Sequence, residues 1–313
     1  MSILITGHTG FLGKLLVRRL QSNALTLVGR SFLQHQCSNF YKKEISPSTD
    51  FSDALQGIDI VIHAAARAHI MNDRSVDPLS IYREVNTLGT LKLASQAADA
   101  GVRRFIFISS IKVNGESTQL DSPFTSESCH NPQDPYSVSK SEAEKGLLDL
   151  GHKKNMEIVI IRPPLVYGPG VKANFSAMMR LAKKNLPLPF GAIYNKRSLV
   201  AIDNLVDLII TCIDHPNAAN QTFLVSDDHD VSTTELLDMM TRAAGKSPRL
   251  LSVPMCWLKF AGKLTGKQAV IDRLCGNLQL DISHTKDTLG WQPPITMEEG
   301  LRRCFVEDKK DVD

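Results

Sequence analysis

Three side chains have the types and spacing to move a proton while a hydride moves: Ser110, where an apolar run ends, and Tyr136 and Lys140, four residues apart. A phenol with an ordinary pKa of about 10 is a weak base at neutral pH, but a neighbouring ammonium favours its phenolate and brings it into working range. At i, i+4 on a helix, Lys140 is placed to do this. The Ser110 hydroxyl can hydrogen-bond the substrate oxygen that gains or loses the proton. Tyr-x-x-x-Lys pairs recur by chance on helix surfaces, so this one takes its meaning from its surroundings.

Those surroundings are a set of strands and helix starts. Ser109 and Ser110 close the run Arg104-Phe105-Ile106-Phe107-Ile108, a β-branched and aromatic strand, and strand ends are where open α/β sheets bind ligands. Asp134-Pro135 supplies an N-cap and a first-position proline, which predicts that Tyr136 and Lys140 share one face of a helix running to Leu150. At the chain's beginning the strand Ile3-Leu4-Ile5-Thr6 runs into Gly7-His8-Thr9-Gly10-Phe11-Leu12-Gly13 and an amphipathic helix. Gly7 can take a tight turn, Gly10 lets the backbone N–H groups of the turn approach a pyrophosphate, and Gly13 lets the helix pack on the strand.

A second strand, Leu25 to Val28, ends at Gly29-Arg30-Ser31, where an adenine ribose would sit. An acid is usual there for NAD, whereas Arg30 and Ser31 could hold a 2′-phosphate, so NADP(H) is favoured and NAD(H) is the alternative. Ile58 to Ile62 reads as a buried strand leading to Ala64-Ala65-Ala66, small residues that leave room for a flat dinucleotide, and His63 beside them reads as packing. Between these strands, residues 41–45 suggest a short edge strand and 51–55 a short helix. Pro78 to Ala100 reads as one helix with Asn86 in its middle, a buried amide able to support the catalytic side chains.

Composition narrows the classes. The 313 residues suit a large α/β domain with a smaller one appended. A net charge of +3, with scattered Lys and Arg, argues against a nucleic-acid partner. Six separated cysteines without a Cys-x-x-Cys pair signal neither a metal site nor a disulfide framework. No segment is long and apolar enough to span a membrane, and no secretory leader is read, so the expected location is cytoplasmic.

Taken together, Gly7-x-x-Gly10-x-x-Gly13, His63-Ala64-Ala65-Ala66, Asn86, Ser109-Ser110 and Tyr136-x-x-x-Lys140 resemble the extended short-chain dehydrogenase/reductase family. The resemblance extends through Arg162-Pro163-Pro164 to Gly170, Arg197 to Asn204 and Leu289-Gly290-Trp291 towards nucleotide-sugar epimerases, dehydratases and reductases. It implies a Rossmann doubly wound parallel sheet over residues 1–163 and a smaller substrate lobe over 164–313, with about 199–226 returning to the sheet domain. By the same resemblance Ser110, Tyr136 and Lys140 are catalytic. The cofactor set is Gly7, Thr9, Gly10, Phe11, Leu12, Gly13, Arg30, Ser31, Ala64, Ala65, Ala66, Asn86, Ser109, Tyr136, Lys140 and Pro163. Asn174, Arg197 and Arg273 would contact a UDP-sugar, with arginine forks on its diphosphate, and a homodimer would pair the helices 78–100 and 135–150.

The reaction is less constrained. Ile111-Lys112-Val113 after Ser110 lacks the acid pair typical of dehydratases. Val113-Asn114-Gly115 and Arg30 depart from the usual UDP-hexose 4-epimerase pattern, and Ser-Ser-Ile-Lys-Val-Asn-Gly-Glu at 109–116 resembles bacterial 4-keto reductases that finish UDP-N-acetylquinovosamine for surface polysaccharides. Sequence therefore favours NADPH-dependent reduction of a UDP-4-keto-6-deoxy-N-acetylhexosamine, with UDP-glucose or N-acetylglucosamine 4-epimerisation on tightly bound NAD as the alternative. A non-catalytic dinucleotide sensor is the remote one, since such proteins often lose the tyrosine or lysine that this chain keeps.

Overall fold

A computed structural model describes residues 1–32, 39–67, 77–266 and 268–307. Seven parallel strands form one sheet in the order β3-β2-β1-β4-β5-β6-β9. They are β1 (Ser2–Thr6), β2 (Ala24–Gly29), β3 (Asn39–Lys42), β4 (Ile60–His63), β5 (Arg104–Ile108), β6 (Glu157–Arg162) and β9 (Gln221–Leu224). Two more strands, β7 (Leu165–Tyr167) and β8 (Leu199–Ala201), pair parallel with each other outside it. The central strands read as continuous apolar runs because helices bury them from both sides. On one face α1 (Phe11–Arg19) and α6 (Ile202–Asp214) pack over Ile3, Ile5, Ile62 and Ile161; on the other, α3 (Thr90–Asp99) and α4 (Pro135–Lys154) cover Leu4, Val61, Phe107 and Ile160.

The helix between β4 and β5 differs from the single element expected. It begins as α2 (Pro78–Tyr82), widens into a π-helical turn over Arg83–Gly89, and resumes as α3. The turn places Asn86 and Thr87 where both side chains bond out of the helix, and it brings Gly89 against Ile45 and Ser46, where a Cβ would approach to 2.9 Å. Residues 51–55 form turns rather than a helix: the amide of Phe51 is taken by Gln96 Oε1 at 2.6 Å, so α3 dictates their shape. The edge strand lies at β3, slightly before the expected 41–45.

The remaining helices are α2-like in length or longer: α5 (Ala173–Lys184), α7 (Thr233–Ala243), α8 (Met255–Leu264), α9 (Gln268–Cys275), α10 (Ser283–Leu289) and α11 (Met297–Glu307). α5, α7 and α11 enclose a separate core around Tyr167, Phe175, Met240 and Leu301. Among the described residues no helix is long and apolar enough to cross a membrane, and no His, Cys, Asp or Glu cluster could hold a metal ion.

Candidate active site

β1 delivers the glycine turn. Gly7 has φ +75°, and a Cβ there would lie 2.7 Å from the Ala65 amide nitrogen, so only glycine fits between this turn and the Ala64-Ala65 backbone. The carbonyl of Gly7 accepts the Gly10 N–H at 2.9 Å, which sets Gly10 as N-cap of α1 with no side chain capping the first turn. The leading N–H groups of α1 are thus left for an anion, the arrangement a dinucleotide's pyrophosphate requires. Two substitutions separate packing from binding. A Gly13 Cβ would lie 2.1 Å from the Gly7 carbonyl oxygen, whereas a Gly10 Cβ meets only that oxygen, at 3.1 Å. Gly13→Ala is therefore expected to lose about 1–3 kcal/mol of stability as well as nucleotide, and Gly10→Ala chiefly nucleotide. Thermal melts beside nucleotide content check this, and equal melting losses for the two would refute it.

His63 is fully buried with both ring nitrogens bonded, to Thr6 Oγ1 at 2.7 Å and Thr90 Oγ1 at 2.9 Å. Burial, with Lys140 adding to it, pushes its pKa down to about 3, so the ring is neutral and holds β1, β4 and α3 together. Arg30 and Ser31 lie exposed at the end of β2, where the Ser31 carbonyl is bonded by His8 Nε2 at 3.0 Å.

β5 ends at Ser109 and Ser110. Ser110 is the N-cap of a one-turn 3-10 helix, Ile111–Val113, and its Oγ accepts the Lys112 N–H at 3.3 Å. The Pro163 carbonyl fastens this turn by accepting the Ile111 N–H at 3.0 Å. Lys112 then reaches Asp134 Oδ2 at 2.7 Å. Asp134 caps α4 by accepting the Ser137 N–H, and Ser137 Oγ lies 3.0 Å from the Asp134 nitrogen, which completes a capping box. Burial opposes ionisation of Asp134, but Lys112 and Ser137 outweigh it and hold the carboxyl below its ordinary pKa. The turn carrying Ser110 and the helix carrying Tyr136 are therefore tied by one ion pair.

Lys140 is buried. Its Nζ donates to the Ile108 carbonyl at 2.8 Å and sits 4.3 Å from the Phe107 ring centroid. Burial lowers its pKa to about 7, with Glu144 the opposing influence. Tyr136, one turn earlier, packs edge-on against Tyr82 at 6.2 Å between ring centroids. Its phenol is pushed up to about 12 by burial, with Asp134 and Tyr82 adding to the effect. This differs from the lowered phenol expected from the sequence: burial dominates at Tyr136, and the Lys140 ammonium is turned to the Ile108 carbonyl at the end of β5. Asn86 joins two site segments through the backbone and Ser139: Oδ1 accepts the Arg67 N–H at 2.8 Å, and Nδ2 donates to the Arg67 carbonyl at 3.1 Å and Ser139 Oγ at 3.0 Å.

Behind these residues lies a buried polar cluster that the sequence reading missed. Glu144, fully buried, accepts from Ser109 Oγ and from Arg162, whose Nε lies 3.1 Å from both carboxylate oxygens and whose Nη2 is 2.6 Å from Oε2. His130 Nε2 sits 2.7 Å from Arg162 Nη2, and Asn114 Oδ1 accepts from Arg162 Nη1 at 3.2 Å. The legible signal was spacing, since Glu144 is four residues beyond Lys140 on the same face. Asn114 also donates to the Ser128 carbonyl at 2.6 Å, so the Val-Asn-Gly departure at 113–115 has a structural use in seating Arg162.

Of the three expected substrate residues, two come together. Arg197 Nη1 donates to the Arg273 carbonyl and the Gly276 carbonyl, each at 3.0 Å. Burial and the nearby Arg273 guanidinium lower its pKa. Two arginines set side by side suit an anionic diphosphate. Asn174 is exposed in the first turn of α5 and makes no hydrogen bond to either arginine among the described residues.

The NAD dependent epimerase/dehydratase family matches residues 3–226. The chain is 56% identical over 308 residues to UDP-glucose 4-epimerase of Vibrio cholerae, which spans 96% of this chain and 94% of that protein. Its fold is shared with UDP-glucose 4-epimerase of Thermotoga maritima, solved with UDP-glucose, at TM-score 0.78 and 22% identity over the whole of both chains. It is shared equally with UDP-glucuronic acid 4-epimerase of Bacillus cereus, solved with NAD, at TM-score 0.77 and 22% identity over the whole of both chains.

Proposed function

The chain belongs to the NAD dependent epimerase/dehydratase family, and on that premise we propose that it is a UDP-hexose 4-epimerase that works on a retained NAD. The observation that carries this is the 56% identity to a UDP-glucose 4-epimerase across nearly the full length of both proteins. The reduction favoured from the sequence is supported less well than this alternative. Asn114 has a structural use of its own in its bonds to Arg162 and Ser128, and Arg30 stands exposed at the end of β2. The NADP(H) preference goes with it, and the family relationship favours NAD.

In this reading the glycine turn holds the pyrophosphate, Ala64 to Ala66 line the dinucleotide, and Lys140 meets its ribose. NAD supplies a hydride acceptor and donor at C4 of the hexose. Tyr136 takes the proton from the C4 hydroxyl and returns it, and Ser110 orients that oxygen. Arg197 and Arg273 hold the diphosphate, leaving the sugar free to present either face. Two copies pair through α2–α3 and α4, where Leu88 and Leu148 are exposed.

Denaturing freshly purified protein and identifying the released nucleotide by mass spectrometry tests the reading. Near-stoichiometric NAD, together with conversion of UDP-glucose to UDP-galactose without added cofactor, is the expected result. An empty protein that consumes one NADPH per turnover of a 4-keto sugar would overturn it in favour of the reductase.

A further inference from the structure

Charge is distributed unevenly along the chain. From Met239 to Ile271 there are six Lys and Arg residues and no Asp or Glu, although the whole chain is only +3. Arg242 is paired with Asp238 at 2.6 Å. Lys246, Arg249, Lys259 and Lys263 are exposed and form no ion pair among the described residues. The centre of this stretch is α8. Its Leu258 and Gly262 turn inward, with Gly262 against Ile271 of α9, where a Cβ would come within 2.8 Å. Its opposite face, at i, i+3 and i+7, presents Trp257, Phe260 and Leu264, which are 66%, 60% and 72% exposed, and α9 adds Val270 at 53%. Large apolar side chains grouped on a soluble surface mark an interaction site.

We propose that α8 and α9 form a docking surface for an anionic phospholipid bilayer, with Trp257, Phe260 and Leu264 entering the headgroup boundary and Lys259 and Lys263 meeting lipid phosphates. The pattern is that of a helix lying in the membrane interface: an aromatic and aliphatic stripe, lysines beside it, and a single carboxylate on the two helices, Asp272 of α9, which accepts from Gln268 Nε2 at 2.8 Å. Lysine stems can follow the apolar surface while their ammonium groups stay at headgroup level. A second copy of the chain fits this face poorly. Two-fold pairing would set Lys259 and Lys263 of one copy near those of the other, with Asp272 the one acidic residue on the two helices to separate them. The proposal adds a location to the activity and does not depend on which sugar is bound.

Tryptophan fluorescence reports the face directly, because the chain's other tryptophan, Trp291, is buried and donates to Asp207 Oδ2 at 2.9 Å. The full-length protein is mixed with vesicles of phosphatidylcholine alone or of phosphatidylcholine with about a quarter phosphatidylglycerol, then followed by emission and flotation. A blue shift and flotation are expected only with the anionic vesicles, with loss in high salt. Lys259→Glu/Lys263→Glu should weaken partition at least about tenfold while leaving turnover of a water-soluble UDP-sugar unchanged, which also certifies its fold. Equal behaviour with both vesicles, flotation without a shift in emission, or a wild-type dimer that Trp257→Ser splits would each overturn the assignment, the last by giving the face to a second copy.

Discussion

Tyr136→Phe is expected to lower kcat for UDP-hexose epimerisation by roughly 10²–10⁴-fold, the usual worth of a positioned acid or base, with bound nucleotide unchanged. The ring keeps its edge contact with Tyr82 and only the hydroxyl is lost. pH separates this chemical loss from a packing defect. The phenol stands near 12 and the Lys140 ammonium near 7 in this geometry. The base form is the phenolate, and its fraction grows tenfold per pH unit anywhere below the phenol's pKa. Wherever proton removal limits the rate, wild-type kcat should therefore rise with pH up to about 7, above which the Lys140 ammonium is lost and the rise flattens, and the Phe variant should lose that slope. Steady-state rates across mildly acidic to neutral pH, beside nucleotide content by mass spectrometry, give both readouts. A Phe variant as fast as wild type would remove Tyr136 from the mechanism.

How much of this site could be read from sequence depends on whether a residue acts through local spacing. The glycine turn, the β5 serines and the Tyr136-Lys140 pair are local patterns on elements whose periodicity is plain, and the structure sets them at the ends of β1 and β5 and on α4. The partners of Glu144 come instead from distant segments: Ser109 on β5, Arg162 on β6 and His130 in the loop before α4. No spacing rule joins them, because parallel-sheet order rather than chain order makes them neighbours. Lys112 was read only as the absence of a dehydratase acid, when its use is to bond Asp134. The π-helical turn at Arg83–Gly89 was hidden for a similar reason. Its cause lies in bonds from Asn86 and Thr87 to Ser139, which helix propensity does not register.

Glu144→Gln should be the most destabilising conservative change near the site. The carboxylate is fully buried and receives Arg162 through both Nε and Nη2, while the Arg162 side chain is only 5% exposed. An amide presents two donors where the guanidinium also donates, so Arg162 is left with an uncompensated buried charge. Breaking one side of such a pair costs about 3–5 kcal/mol, which for a chain of this length corresponds to a fall in melting temperature of roughly 5–10 °C. The functional loss has a separate route. Ser109 loses its acceptor beside Ser110, and Lys140 loses the partner that opposes the effect of burial, so its pKa moves further below 7 and less ammonium survives at neutral pH. A charge-removing double variant distinguishes these contributions. Glu144→Gln/Arg162→Leu should recover much of the melting temperature, because no lone charge remains, but not the activity, because Ser109 and Lys140 still lack the carboxylate. A Glu144→Gln protein that melts within a degree or two of wild type would show that Arg162 finds another partner and that the cluster is not what holds the end of β5 against α4.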